Sequence, residues 1–264
     1  MLGLLAAGWR YRQFISSSVQ SEFAARYARS RLGALWMVVN PLAQAAIVAF
    51  VLSSVLSARL PGVTSSYGYA LYLMAGTLAW ALFQECVIRC LTVFTDNGNL
   101  LKKLVFPRIC LPLVVVGICG VAHILLAVVT LAVFLVLGQT LTVYWLWLPV
   151  LGVLTLAFAM GLGLLLGVVN VFLRDVSQVT PIVLQFLYWL TPIIYVPDIV
   201  PEAYRPWLAL NPLSPLVAAY QSVMVYDQPP QGEGLLALAA LSAVLLGSAL
   251  LLFRRAAPEI TDAL

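Results

Sequence analysis

The chain has 264 residues, 63% of them hydrophobic and 9% charged, with 14 basic and 10 acidic side chains and a net charge of +4. Soluble domains carry about 25% charged residues, and this few cannot cover the surface of a water-soluble globule, so a soluble enzyme is excluded along with disordered and collagen-like chains. The basic surplus, which in a soluble protein would suggest nucleic acid, reads here as a membrane topology signal, and no nucleic-acid partner is expected.

Residues 9–29 place Tyr11, Ile15, Val19, Phe23 and Tyr27 at four-residue spacing with Phe14 beside them. Such positions drift slowly around one helical face. Arg10, Arg12, Arg26 and Arg29 make the segment basic, and it predicts an amphipathic helix at the cytoplasmic membrane surface. An ordinary cytosolic helix capping the bundle is the alternative. No cleavable leader is expected, because the apolar run 2–7 is short and Arg10 and Arg12 follow it.

A membrane span needs about 20 apolar residues, and the few charges fence the runs that qualify. Residues 32–58, between Arg31 and Arg59, predict the first span. The second covers 67–94, after the turn signals Pro61, Gly62, Ser65 and Ser66. It takes in Glu85 and Arg89, one helical turn apart and able to pair. A short basic loop follows at 97–108, where Asp96 or Asn97 is placed to cap a helix over about 99–106. Leu100, Leu101, Leu104 and Val105 would share its apolar side. The loop reads equally as a grip for a cytosolic partner and as a solvated turn whose lysines set topology.

Gly138, Gln139 and Thr140 divide the next long run into spans 109–137 and 144–172, with Tyr144, Trp145 and Trp147 as an interfacial aromatic belt. A fifth span, 177–196, contains Pro181 and Pro192, and a sixth covers 234–253. The segment 197–231 is broken by Pro197, Pro201, Pro206, Pro212, Pro215, Pro229 and Pro230. It reads as two short re-entrant or interfacial helices rather than a seventh span. Six spans with a cytoplasmic N-terminus put eleven basic residues on one side and only Arg59 and Arg205 on the other, with Arg89 inside a helix. A seventh would carry Arg254 and Arg255 outside, against the positive-inside rule.

Little in the chain points to catalysis. Lys102 and Lys103, the only lysines, follow no glycine, so there is no phosphate-binding loop of the Gly-x-x-x-x-Gly-Lys type. In the run GLGLLLG at 161–167, Gly163 and Gly167 predict a small-residue face for close helix packing. His123 reads as a hydrogen-bonded packing residue rather than a proton relay, and Cys86, Cys90, Cys110 and Cys119 as small apolar residues. No catalytic, cofactor or metal site is predicted. Trp36, Tyr72, Trp80, Phe83, Phe186, Tyr188, Trp189 and Tyr195 offer rings to the C–H faces of sugars and are candidates to line a channel. Core packing or lipid contact is the alternative for each.

Three stretches carry a likeness. The first is RYARSRLGALWMVVNP at 26–41. The second, 94–112, holds Lys-Lys and Phe-Pro-Arg. The third, 170–220, runs Asn-Val-Phe-Leu-Arg-Asp-Val, Leu-Thr-Pro-Ile-Ile-Tyr, Val-Pro, Asn-Pro-Leu and Ala-Tyr. In this order they resemble the transmembrane subunit of ABC-2 type exporters, particularly those moving O-antigen, capsular or teichoic-acid polysaccharides.

The resemblance implies a homodimer with a channel between protomers and two copies of a separate ATPase that holds ATP and magnesium. It further implies a lipid-linked polysaccharide as cargo and a place in the bacterial inner membrane, with both termini cytoplasmic. It makes 97–108 a coupling element, with Asn97, Leu100, Lys102, Lys103, Phe106 and Arg108, and 9–29 an interface helix. It makes 197–231 a periplasmic gate, with Pro201, Trp207, Asn211 and Pro212. Arg174 and Asp175 match the family's Arg-Asp pair after the fourth span; by residue type alone they are a snorkelling arginine beside a helix cap. The expected fold is an all-α integral membrane protein of six transmembrane helices, with an N-terminal amphipathic interface helix and re-entrant gate helices between the fifth and sixth. An exporter of small hydrophobic compounds or lipid would share this topology and is the alternative.

Overall fold

The computed structural model describes residues 10–27, 39, 43, 67–103 and 107–263. The predicted span 32–58, with Trp36, lies outside the described residues apart from positions 39 and 43, as do Arg29, Phe106 and the side chains of Arg26 and Lys103. All regular structure among the described residues is helical: α1 (Arg12–Tyr27), α2 (Gly68–Asp96), α3 (Gly98–Lys103), α4 (Cys110–Val136), α5 (Leu148–Phe172), α6 (Val176–Leu190), α7 (Arg205–Leu210), α8 (Leu213–Met224) and α9 (Gly232–Ala263). A 3-10 helix, Val143–Trp147, leads into α5, and two 3-10 turns, Pro197–Ile199 and Glu202–Tyr204, precede α7.

Among the described residues four helical stretches are long and apolar enough to cross a membrane: Gly68–Asp96, Cys110–Val136, Val143–Phe172 and Gly232–Ala256. The predicted span 177–196 is shorter as a helix, ending at Leu190. Pro192 supplies no N–H for the Tyr188 carbonyl, and Thr191 takes that carbonyl instead at 3.3 Å. At the other extreme α9 continues to Ala263, well past Arg254, where the last span was expected to stop.

α2 is the axial helix. Two-thirds (67%) of its most apolar window is buried inside the chain, against 17% for α9. The α2–α5 crossing is closed by glycine. A Cβ added to Gly163 would lie 2.7 Å from the Cys90 Cβ, and one added to Gly167 would overlap the Cys90 carbonyl oxygen. Gly161 faces the other way, where a Cβ would come within 2.9 Å of Leu245 and Leu246 in α9. The run 161–167 therefore seats α5 between α2 and α9, as small residues do where membrane helices approach closely. The stacked pair Phe83–Phe158, at 5.5 Å, fills the α2–α5 seam, and Phe94–Phe253, at 5.4 Å, joins α2 directly to α9. All four cysteines are buried and free.

α1 rests on α4, with Val19 against Gly117. Phe14, Ile15, Val19 and Phe23 are half-buried while Arg10, Arg12 and Gln20 are exposed, so the apolar stripe of this helix meets protein.

Candidate functional site

The break after α6 is the chemically richest place in the chain. Non-helical backbone among membrane helices leaves carbonyls that water does not serve, and side chains have to satisfy them. The Tyr72 hydroxyl lies 3.3 Å from both the Pro192 and Tyr195 carbonyls, and the Tyr69 hydroxyl donates to Ile194. From α8, the Gln221 amide donates to Pro192 at 3.2 Å. Gly76 clears the space: a Cβ there would stand 3.0 Å from Gln221 Nε2 and 3.2 Å from Ile193. Asn211 completes the join. Its Nδ2 donates to Thr191 Oγ1 at 2.9 Å, and its Oδ1 accepts the Leu213 N–H at 3.0 Å, capping α8. The Leu-Thr-Pro-Ile-Ile-Tyr and Asn-Pro-Leu motifs thus meet in one buried hydrogen-bonded joint between α2, α6 and α8.

α8 is further fixed by Tyr220, fully buried, whose hydroxyl lies 3.4 Å from His123 Nε2 in α4. His123 therefore joins α4 to α8 as a hydrogen-bonded packing residue, and its Nδ1 has no partner among the described residues. Beyond the end of α8, Asp227 adopts φ 50° and accepts from Thr142 at 3.1 Å and Gln139 at 3.4 Å. The turn between α4 and α5 is tied to α8 in this way. Burial pushes the neighbouring Tyr226 phenol up, with Asp198 adding to the shift.

The candidate channel rings divide. Tyr72 and Trp80 are 2% and 5% exposed, so these two are enclosed in the chain and present no open face, contrary to the expectation for them. Trp80 donates to Gln84 at 2.7 Å and packs edge-on against Tyr188 at 5.3 Å. Helices apolar all round give no sequence cue to which face is inward. Tyr188 and Tyr195 are half-buried, and Trp189 stands out on a face of α6 shared with Val179, Ile182, Val183 and Phe186. Pro201 and Trp207 are exposed beside the joint, and Pro212 is half-buried at the start of α8.

At the opposite end, α3 buries Leu101, half-buries Leu100 and exposes Lys102. It packs on α2 and α9. Asn97 does not cap it: its amide donates back to the Val93 carbonyl at 2.8 Å and closes α2. Arg108 is half-buried two residues before α4, and Arg174 and Asp175 are exposed between α5 and α6. The Asp175 side chain makes no capping bond; the Ser177 hydroxyl bonds the Arg174 carbonyl instead, at 2.6 Å. Glu85 and Arg89 pair at 3.0 Å, and Glu22 of α1 joins Arg89 at 3.3 Å.

The sequence did not mark Glu22, Tyr69 or Gln221, and gave no role of its own to Asn170, the first residue of the Asn-Val-Phe-Leu-Arg-Asp-Val stretch, whose amide donates to the Leu91 carbonyl of α2 at 3.1 Å. For Gln221 and Asn170 a signal existed: an amide inside an apolar helix has to find a partner.

This order of helices has a counterpart among known proteins. The model of the ABC-2 type transporter family matches residues 13–225, from α1 to the end of α8. The chain is a member of the ABC-2 type transporter family. As an ABC-2 protein with four helical stretches long enough to cross, it is a multi-pass membrane protein. It is 30% identical over 272 aligned residues to the O-antigen export system permease protein RfbA of Myxococcus xanthus, with all of both chains covered. A Klebsiella pneumoniae protein of the same name is 30% identical over 206 residues, 77% of each chain. The polysialic acid transport protein KpsM of Escherichia coli is 22% identical, covering 88% of this chain and 89% of its own.

Proposed function

We propose that this chain is the membrane subunit of an ATP-driven exporter that moves a lipid-linked polysaccharide across the bacterial inner membrane. It would work as a homodimer with two copies of an ABC ATPase, which bind and hydrolyse the ATP. The observation that carries the reading is the likeness along its whole length to a permease named for O-antigen export, supported by the family match over α1 to α8.

The geometry supplies a route for the work. α2 is a rod of 29 residues, about 43 Å at 1.5 Å per residue. One end is continuous with α3, which faces the ATPase in this reading, with Asn97, Leu100, Lys102, Lys103, Phe106 and Arg108 as the coupling group. α1, with Arg10, Arg12, Arg26 and Arg29, is the interface helix beside it. The other end carries Tyr69 and Tyr72, which hold the break after α6. A push on α3 would be felt at that joint, where the prolines of 197–231 and α8 form the outer gate. Trp189 and Tyr188 are the rings best placed to meet cargo at the protomer interface.

The test is reconstitution in vesicles with the ATPase and a lipid-linked polysaccharide. ATP-dependent protection of the polymer inside inverted vesicles is the expected result. Cells lacking the gene that still display their surface polysaccharide would overturn the reading.

A further inference from the structure

A cleft of about 290 Å³ opens between the ends of α5 and α9, away from the joint and at the end of the bundle where α3 packs on α9. Val168, Val169, Phe172 and Leu252 form apolar walls, and Arg255 and Glu259 stand at its mouth. Both charged residues are exposed, and no ion pair among the described residues involves either. Arg174, Arg254 and Arg255 gather at this end of the bundle, where apolar span gives way to charge, so the cleft lies at the membrane boundary.

The order of chemistries along α9 is specific. Leu252 is apolar, Arg255 is cationic one turn on, and Glu259 is anionic one turn beyond that. At 1.5 Å rise per residue these steps are about 4.5 Å and about 6 Å. A phospholipid with a primary amine in its headgroup presents the complementary series in the same direction: acyl chain, phosphate, then an ammonium on a two-carbon spacer. A guanidinium pairs well with phosphate oxygens, and a carboxylate is the natural acceptor for an ammonium. A purely acidic headgroup would meet the Glu259 carboxylate with repulsion.

We infer that this cleft binds one phosphatidylethanolamine-type phospholipid, with its phosphate on Arg255, its ammonium on Glu259 and one acyl chain along Val168, Val169, Phe172 and Leu252. The inference stands apart from the export reading, because binding is measured on the purified permease without ATPase or polymer.

The full-length protein, purified in mild detergent and delipidated, is titrated with palmitoyl-oleoyl phosphatidylethanolamine and, separately, phosphatidylglycerol, with bound lipid counted by native mass spectrometry. The ethanolamine lipid is expected to bind more tightly. R255Q should weaken both lipids about tenfold or more, the scale of a lost charge-assisted hydrogen bond. E259Q should weaken the ethanolamine lipid alone, and R254Q, outside the cleft, should change neither. Equal or tighter binding of phosphatidylglycerol would overturn the inference, as would an ethanolamine affinity unmoved by R255Q. In the unsubstituted protein, a photoreactive phosphatidylethanolamine should crosslink within 168–172 or 252–259; crosslinks found only elsewhere would equally overturn it.

Discussion

The Arg89 guanidinium of α2 reaches the Glu22 carboxylate of α1 at 3.3 Å while holding Glu85, one turn away on its own helix, at 3.0 Å. One cation thus serves two acids, and the helix that precedes the predicted first span is clipped to the axial helix of the bundle. Glu22 is the most exposed of the three, with its side chain 46% accessible, so its bond belongs with weak surface pairs. E22Q should lower stability by no more than about 1 kcal/mol. R89A removes the cation that Glu85 holds at 3.0 Å within a membrane helix and should cost more, about 1–3 kcal/mol. Thermal melts of the detergent-solubilised protein check the order, and the double variant E85Q/R89L is expected to regain much of the R89A loss.

The glycine seam makes a sharper forecast. G167A should leave little folded protein, since the added Cβ would meet backbone rather than a movable side chain. G247A, where a Cβ would find nothing within 4 Å among the described residues, should melt at or above the parent temperature because alanine favours the helix by up to about 1 kcal/mol. Yield and monodispersity after size-exclusion chromatography distinguish the two.

At the joint, Y72F and Q221L remove donors from the Pro192 carbonyl without changing much volume. Hydrogen bonds inside membrane proteins contribute about 0.6 kcal/mol on average and up to about 2 kcal/mol, so each variant should fold. The segment 191–196 should nonetheless open more often. An I194C reporter is expected to react faster with a membrane-impermeant maleimide in the Y72F/Q221L background than in the parent.

Coupling can be separated from folding at α3. K102E reverses an exposed charge and should leave the melting temperature within about 1 °C, as surface changes usually do. In the reconstituted exporter it should cut ATP-driven transport several-fold, while leaving the permease able to reach the membrane. Transport and ATP hydrolysis unchanged by K102E would remove Lys102 from the coupling group.

The apolar runs were readable because lipid demands length and continuity: 109–137 corresponds to Cys110–Val136, and 67–94 to Gly68–Asp96. Gly163 and Gly167 were readable for the same local reason, a spacing that puts two small residues on one face. What could not be read was non-local. Glu22 and Arg89 are 67 positions apart, and Tyr72 and Pro192 are 120 apart; no periodicity links them. Pro192 marked a break in the sequence, yet nothing local said which donors would serve its carbonyl. Tyr72 and Trp80 take the core-packing alternative rather than an open face, a choice the sequence left open because an aromatic residue in a uniformly apolar helix looks alike whether it faces lumen, lipid or core.

The interlock at Cys90, Gly163 and Gly167 also bears on movement. Two helices whose backbones touch have no slack to slide or rotate past one another, so α2 and α5 behave as a single beam through any transport cycle. A disulfide staple across that seam would therefore be silent, whereas one joining α6 to α8 would jam the machine.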